Sequence, residues 1–451
     1  MAAYLYRNKN TAEAMTATIF QPAFTEGGFE AFLDGRDEPA WLIDQRRAAW
    51  QVFQQLPWPD RRQEEWMRTD IRLFRLDKYS LPGPAAEEAV LPAAELGEGV
   101  HLGGYSATLN SLPVEFRLAP KWAEQGVLFG SLDAMIASHG DLIQKHLLRQ
   151  AVDPSYDRFA ALHAACWSGG HLLYVPRGVV IDEPLLALSS MSDGGVDLGH
   201  TLVILEDGAR ATLMSESASC GGQDRGLHCG AVELLVGQGA NLRYINLQDW
   251  GSGVWHFAHQ KAVLRQDASL QWTIGALGCR LCKVNQHVAL IEPGAACQVN
   301  GVLFTEGKQH LSYHTLQHHR SPHCNSDFLY KAALQDRSRT VWRGMIKVDP
   351  GAIRTDGYQR NDNLLLSERA RADSIPGLEI EADDVRCTHG STSGRVDEEL
   401  IFYAMCRGFT RREAIRMIVS GFFQQIFDRI PIESVREALG RVIAARVREY
   451  D

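Results

Sequence analysis

LVILEDGARATL at 202–213, ELLVGQGANLRYINL at 233–247, KAVLRQDASLQWTI at 261–274, VALIEPGAACQVNGVL at 288–303 and KAALQDRSRTVWRGMIKV at 331–348 are variations on one pattern. In each, apolar residues alternate into a glycine or polar corner and leave it as a second alternating run, which is the period-two signature of strand, corner and strand. Aligning the corners at Gly208, Gly239, Ala268, Gly294 and Arg337 gives steps of 31, 29, 26 and 43 residues. One such unit has an apolar side that it cannot bury alone, so the units must stack, and a recurring step in this range marks a solenoid. A stack of parallel coils, a β-helix, is the expected core. A β-sandwich competes, because turn signals also recur every 8 to 12 residues or so.

Working upstream, the β-rich region starts at 172–181, just after Gly169-Gly170. Before it the apolar spacing is helical at 131–150 and 156–167. Residues 39–56 form an amphipathic helix with Trp41, Leu42, Ala48, Ala49, Val52, Phe53 and Leu56 on its apolar side. Pro39 suits the first turn of that helix, whereas Pro57 and Pro59 end it by removing donors and restricting their predecessors. The charged run at 61–72 reads as a solvated face anchored by Trp66. Residues 82–99, rich in Pro, Ala, Gly and Glu, read as a linker.

Working downstream, the period changes to 3.6 after Gly394. A short helix is expected over 397–407, with Asp397, Glu398 and Glu399 at its N-terminal dipole and Gly408 beyond its end. Thr410 and Glu413 make a capping box for the next helix, whose stripe is Ile415, Ile418, Val419, Phe422 and Ile426, widened by Met417, Phe423 and Phe427. A third helix follows Pro431. Two readings of these helices stand side by side: a bundle over the open end of the solenoid, and a docking surface for a partner. The chain thus divides into a mainly helical part at 1–170, a β-helix core at 171–385 and a helical part at 386–451.

Bulk properties narrow the function. The 451 residues carry a formal charge of −9, with 45% hydrophobic and 22% charged residues. That charge argues against binding nucleic acid or an anionic membrane. No apolar run approaches the roughly 18 residues a membrane span needs. The first 20 residues lack the apolar core and cleavage pattern of a secretory signal, though they could hold a short organellar transit segment. Nine cysteines in odd scatter suggest reduced thiols and a cytoplasmic location rather than a disulfide framework.

Several side chains invite a chemical reading. Cys279-Arg-Leu-Cys282 is a lone CxxC without the second pair a zinc site needs, so it reads as packing, as does Cys406. His310, His314 and His318 share one face of a strand, with His319, His323 and Cys324 close by. Residues four apart along a strand stand about 13 Å apart, so a polar ladder is the favoured reading and capture of metal by histidines on adjacent coils is the alternative. Cys387 and His389 differ: two residues apart they face the same way, about 6.5 Å apart, within reach of one soft or borderline metal ion. Two ligands do not close a tetrahedral site, so the others must come from another coil or another chain. There is no P-loop, GxSxG or HExxH motif.

HLSYHTLQHHRSPHCNS at 310–326, YKAAL at 330–334, TDGYQRNDNLLLS at 355–367, LEIEADD at 378–384 and CTHGSTSGRVDEELIFY at 387–403 together resemble the SufB/SufD family of the SUF iron–sulfur cluster assembly machinery. The resemblance runs from about Leu172 to the C-terminus. Cys-Thr-His-Gly followed by Gly-Arg-Val-Asp-Glu-Glu resembles the SufD branch, and LPWPDRRQEEWMRTD at 56–70 resembles its helical N-terminal domain. The resemblance implies a right-handed parallel β-helix flanked by N-terminal and C-terminal helical domains. It implies a non-catalytic scaffold that pairs with SufB through the β-helix and binds the ATPase SufC through its C-terminal helices. His389 and Cys387 then fall at the SufB interface as ligands for iron or a nascent cluster, shared and transient, with no nucleotide held by this chain. Phe402, Tyr403, Phe422 and Phe423 become candidates for SufC docking or local core. Three other readings remain: a polysaccharide-active β-helix enzyme, a stand-alone metal protein and a SufB-like homodimeric scaffold.

Overall fold

The computed structural model describes residues 23–82 and 90–448, so the stretch read for targeting signals and residues 83–89 of the linker lie outside the described residues. Two helices come first, α1 (Glu26–Asp34) and α2 (Ala40–Gln55). Pro39 precedes α2 with φ of −65°, and the helix stops where Leu56 meets Pro57. Its buried face is Leu42, Arg46, Ala49, Trp50 and Phe53. Strands β1 (Gly104–Leu109), β2 (Leu112–Leu118) and β3 (Leu128–Ser131) follow, with the short α3 (Pro120–Ala123) between the last two. Then come α4 (Leu132–His146) and α5 (Arg158–Cys166), whose first turns receive side-chain caps from Ser131 and Asp157.

Seventeen more strands build the core: β4 (Gly169–Val175), β5 (Leu185–Met191), β6 (Gly195–Asp197), β7 (Gly199–Leu205), β8 (Arg210–Ser219), β9 (Arg225–Val236), β10 (Asn241–Asp249), β11 (Gly253–Leu264), β12 (Ser269–Ala276), β13 (Leu281–Leu290), β14 (Ala296–Thr305), β15 (His310–His319), β16 (Asn325–Leu334), β17 (Arg339–Val348), β18 (Asp356–Leu365), β19 (Arg371–Ile380) and β20 (Arg386–Arg395). They form two ten-stranded sheets, one ordered β2-β1-β5-β8-β10-β12-β14-β16-β18-β20 and the other β19-β17-β15-β13-β11-β9-β7-β4-β3, with β6 beside β9. Every pair from β8 onward is parallel and in register. The protein is mainly β, a parallel β-solenoid with helices toward both termini.

A left-handed residue turns the chain once per coil. Gly178, Gly208, Gly239, Asp267, Gly294, His323, Arg354 and Asp384 all have φ between 55° and 77° and recur in steps of 27 to 31 residues. The backbone N–H groups of Gly208, Gly239 and Asp267 donate to the Gln238, Gln266 and Pro293 carbonyls of the next coil, so the corners stack as the strands do. The sequence alignment finds three of these corners, places the fourth one residue late at Ala268, and takes Arg337 from the opposite corner. The anomalous step of 43 follows from that. His323 holds the true fifth corner, and Arg354 and Asp384 the next two, in a conformation that costs roughly 1–2 kcal/mol without glycine and so leaves little trace in the sequence.

Inward side chains such as Tyr244, Trp272, Phe328, Tyr330 and Trp342 fill the solenoid. The outer faces are covered as well. The C-terminal helices α6 (Glu398–Cys406), α7 (Arg411–Phe427) and α8 (Glu433–Arg446) bring Ile415, Val419, Phe423 and Ile426 against Val302, Phe304, Leu329 and Ala333 of the first sheet. The capping box Thr410–Glu413 starts α7 as its sequence implies. On the second sheet Phe159 of α5 stacks on Phe257 at 3.7 Å between ring centroids, beside the buried Trp66 and Phe74. The bundle reading is therefore corrected: α7 and α8 lie along the flank of the solenoid, because their wide apolar stripe matches the apolar outer rows of β14 and β16. At one end β2 and β3 close the sheets as antiparallel strands on β1 and β4. At the other end β19 and β20 each have one neighbouring strand and one open edge.

Candidate functional site at the open end of the solenoid

Cys387 and His389 lie on β20, the last strand of the first sheet. Parallel pairing with β18 sets Cys387 beside Gly357 and His389 beside Gln359. Alternation puts both on the same face of β20, the one on which Gly357 and Gln359 are buried in β18. A Cβ built on Gly357 would stand 3.4 Å from the Cys387 Sγ and 3.1 Å from an Ile346 methyl. The thiol thus sits over a glycine and packs on the cluster of Ile346, Val348 and Ala352. His389 is exposed. Two residues on, the Ser391 hydroxyl donates to Ser374 of β19 at 2.8 Å, tying the two sheets together at the mouth.

Electrostatics set the ligand chemistry. Burial pushes the Cys387 thiol up, Asp356 adds to that, and the backbone N–H of Gly357 opposes it. The group is therefore a thiol at neutral pH and must give up its proton to bind metal. Below His389, the Gln359 Nε2 donates to the Gly377 carbonyl at 2.9 Å, while its Oε1 has no partner. Gln359 and Gly357 belong to the 355–367 motif, but their place beside the Cys-x-His pair becomes readable only through the strand register. Among the described residues no three of His, Cys, Asp and Glu converge to hold a metal ion, and Cys387 and His389 have no third such side chain beside them.

A second surface lies just beyond. Helix α6 follows β20, capped by the Asp397 side chain, and buries only Ile401. Phe402 and Tyr403 are 69% and 60% exposed, and Leu400 and Met405 of the same helix, Phe409 after it and Met417 of α7 are exposed as well. Large exposed apolar patches mark interaction sites. Phe423 by contrast is fully buried and Phe422 half-buried under the Lys331 ammonium at 4.8 Å, so these two hold α7 to the sheet. Cys406, read as packing, is exposed, because α6 turns only one residue inward.

Comparison with known proteins gives the context of both surfaces. Residues 33–186 match the SufBD protein N-terminal region, and residues 188–422 match the SufBD core domain of SUF system FeS cluster assembly. The chain belongs to the SufBD family. It is 26% identical over 414 residues to an iron-sulfur cluster assembly SufBD family protein of Staphylococcus epidermidis, with 88% of each chain covered. Proteins of the same description from Staphylococcus haemolyticus and Staphylococcus aureus match equally well.

The remaining candidates in this SufBD protein sit in packed or hydrogen-bonded surroundings. All nine cysteines are free, and Cys279 and Cys282 are buried in the core, where desolvation pushes the Cys279 thiol well up. His310, His314 and His318 share the outer face of β15, as their spacing implies. Burial lowers His310 to about 4 and His314 to about 2, so both are neutral. His318 bonds Asp349 at 2.8 Å and stacks on His287 of the neighbouring strand, while His319 turns inward onto the Ser326 hydroxyl at 2.7 Å. This is a polar ladder. Among the described residues no helix is long and apolar enough to cross a membrane.

Proposed function

We propose that this chain is the SufD-type scaffold of an iron–sulfur assembly complex, pairing with a SufB-type subunit at the open end of its solenoid and carrying a SufC-type ATPase on α6 and α7. The observation that carries this reading is the unfinished end. Two ten-residue strands, β19 and β20, present open edges side by side, and the half-site of Cys387 and His389 lies on one of them. Exposed edges of that length are a template for further pairing, so a second solenoid end is the natural cover. Its own side chains would complete the coordination that two ligands leave open.

In this reading iron or a nascent cluster is cargo, held between two chains, and this chain carries out no bond-making step of its own. His389 is a ready ligand because it is exposed. Cys387 joins after losing its proton, which the cation favours. The apolar patch of Phe402 and Tyr403 sits one helix away from β20, joined to it by residues 396 and 397, so movement of a docked ATPase reaches the mouth through a short, direct connection. ATP-driven dimerisation of that partner would open the interface to incoming iron and sulfur, in the cytoplasm.

Co-expression with SufB-type and SufC-type partners tests the arrangement. Phe402→Asp with Tyr403→Asp is expected to lose the ATPase from the purified complex while keeping the other solenoid subunit. Retention of the ATPase at wild-type stoichiometry would remove the docking assignment.

A further inference from the structure

A groove unrelated to the mouth lies on the corner opposite the left-handed column, where β9, β11, β13 and β15 begin. Its volume is about 760 Å³. Arg75, Lys78, Arg225, Arg280, Lys308 and Arg448 line it, and the only lining carboxylate among the described residues is Glu306, which pairs with Arg448. Arg225 reaches Asp193 at 3.6 Å. Arg75 donates only to the backbone carbonyls of Arg72 and Phe74, and Arg280 lies over the Trp255 ring at 5.0 Å. Arg75, Lys78, Arg280 and Lys308 therefore have no carboxylate partner among the described residues.

Such a concentration of cations is unexpected on a chain with a net charge of −9. Like charges gathered in one concave surface repel one another and focus a positive field into it. The backbone fixes their spacing. Arg225, Arg280 and Lys308 stand at the starts of β9, β13 and β15, and the His310 N–H donates to the Arg280 carbonyl at 3.0 Å within the ladder. At about 4.8 Å per coil these charges span roughly 15 Å along the solenoid axis. Guanidinium forks bind oxyanions in bidentate fashion, and the groove has the size of a small-molecule site. The chain's net charge of −9 disfavours a long nucleic acid strand.

We propose that this groove binds an extended small polyanion carrying three or more phosphate or carboxylate groups, with Arg280 and Lys308 as its central anchors. Calorimetric titration of the full chain with sodium tripolyphosphate, and separately with citrate, at about 150 mM salt to screen weak surface binding, tests it. One molecule is expected to bind per chain. Tighter binding of tripolyphosphate assigns a phosphate ligand, and tighter binding of citrate a carboxylate. Arg280→Ala with Lys308→Ala, both exposed positions, is expected to weaken binding at least tenfold or so at unchanged melting temperature, whereas the control Lys145→Ala leaves it intact. Absence of binding heat with both anions, an equal loss in the control, or binding of a polyglutamate peptide in place of either small anion overturns the proposal.

Discussion

Gln359 lies beside His389 in the register of the last two coils of the first sheet, and its Oε1 is a buried acceptor without a partner. Imidazoles that bind metal are oriented by an acceptor on the ring nitrogen that does not ligate. Gln359→Leu is therefore expected to lower iron retention by the assembled complex about 10- to 100-fold, while the melting temperature of the isolated chain changes little. Iron content measured against added chelator checks this, and equal retention in wild type and variant removes Gln359 from the site.

Gly344 gives Gln359 its room. A Cβ at that position would fall 2.2–2.4 Å from the Trp342 ring and the Gln359 Oε1, whereas at Gly394 it would meet nothing within 4 Å. Gly344→Ala should cost about 1–3 kcal/mol or more through overpacking. Gly394→Ala should stay within about 0.5 kcal/mol, as surface substitutions do. Urea denaturation of the two variants makes the comparison.

The segment between α4 and α5 is fastened to the solenoid by a buried carboxylate. Glu233, wholly buried on β9, accepts the backbone N–H groups of Leu148 at 2.7 Å and Val152 at 2.9 Å, and bonds His200 at 3.1 Å, which in turn meets His163 at 3.0 Å. Glu233→Ala strands two buried amides at about 1–3 kcal/mol each. A loss of roughly 3 kcal/mol is expected, with faster amide exchange at 147–153 than in β13 or β15. Uniform exchange across both regions would show that the carboxylate is not a local fastening.

Lys283 gives the protein a pH dependence. Its ammonium is buried between the Trp66 ring and the Glu65 carbonyl, and desolvation lowers its pKa to about 7, against pulls from Glu65 and Asp157 in the other direction. The unfolded chain binds this proton up to about 10.4. Between those two values the unfolded state holds more protons, so stability rises with pH from about 7 toward 10 and is at its lowest level below 7. Lys283→Met should raise the melting temperature, by more at pH 6 than at pH 9.5 or so, since the penalty it removes is greatest where the folded state must carry the charge. A gain that is equal at both pH values would contradict the assignment.

Much of this architecture was legible in the sequence, and the reasons differ from element to element. The alternating runs around Gly208, Gly239 and Gly294 disclosed the coils because glycine at a left-handed corner leaves a mark. His323, Arg354 and Asp384 do the same work without one. Strands β1 to β3 escaped the pattern because short, irregular closing strands carry little periodicity. The face of β15 was readable from the spacing of its histidines, but the flank position of α7 was not, since an apolar stripe does not say which surface it covers. Cys387 and His389 stood out as a pair, whereas Gln359 is 30 residues away and is brought alongside only by the length of one coil.

The central claim is that the open end of the solenoid holds iron–sulfur cargo through His389. Iron and acid-labile sulfide measured in the purified complex of this chain with SufB-type and SufC-type partners, wild type against His389→Ala, test it most directly. The account predicts that the variant complex assembles with unchanged stoichiometry and loses most of its cluster. An intact complex with wild-type iron and sulfide would contradict it.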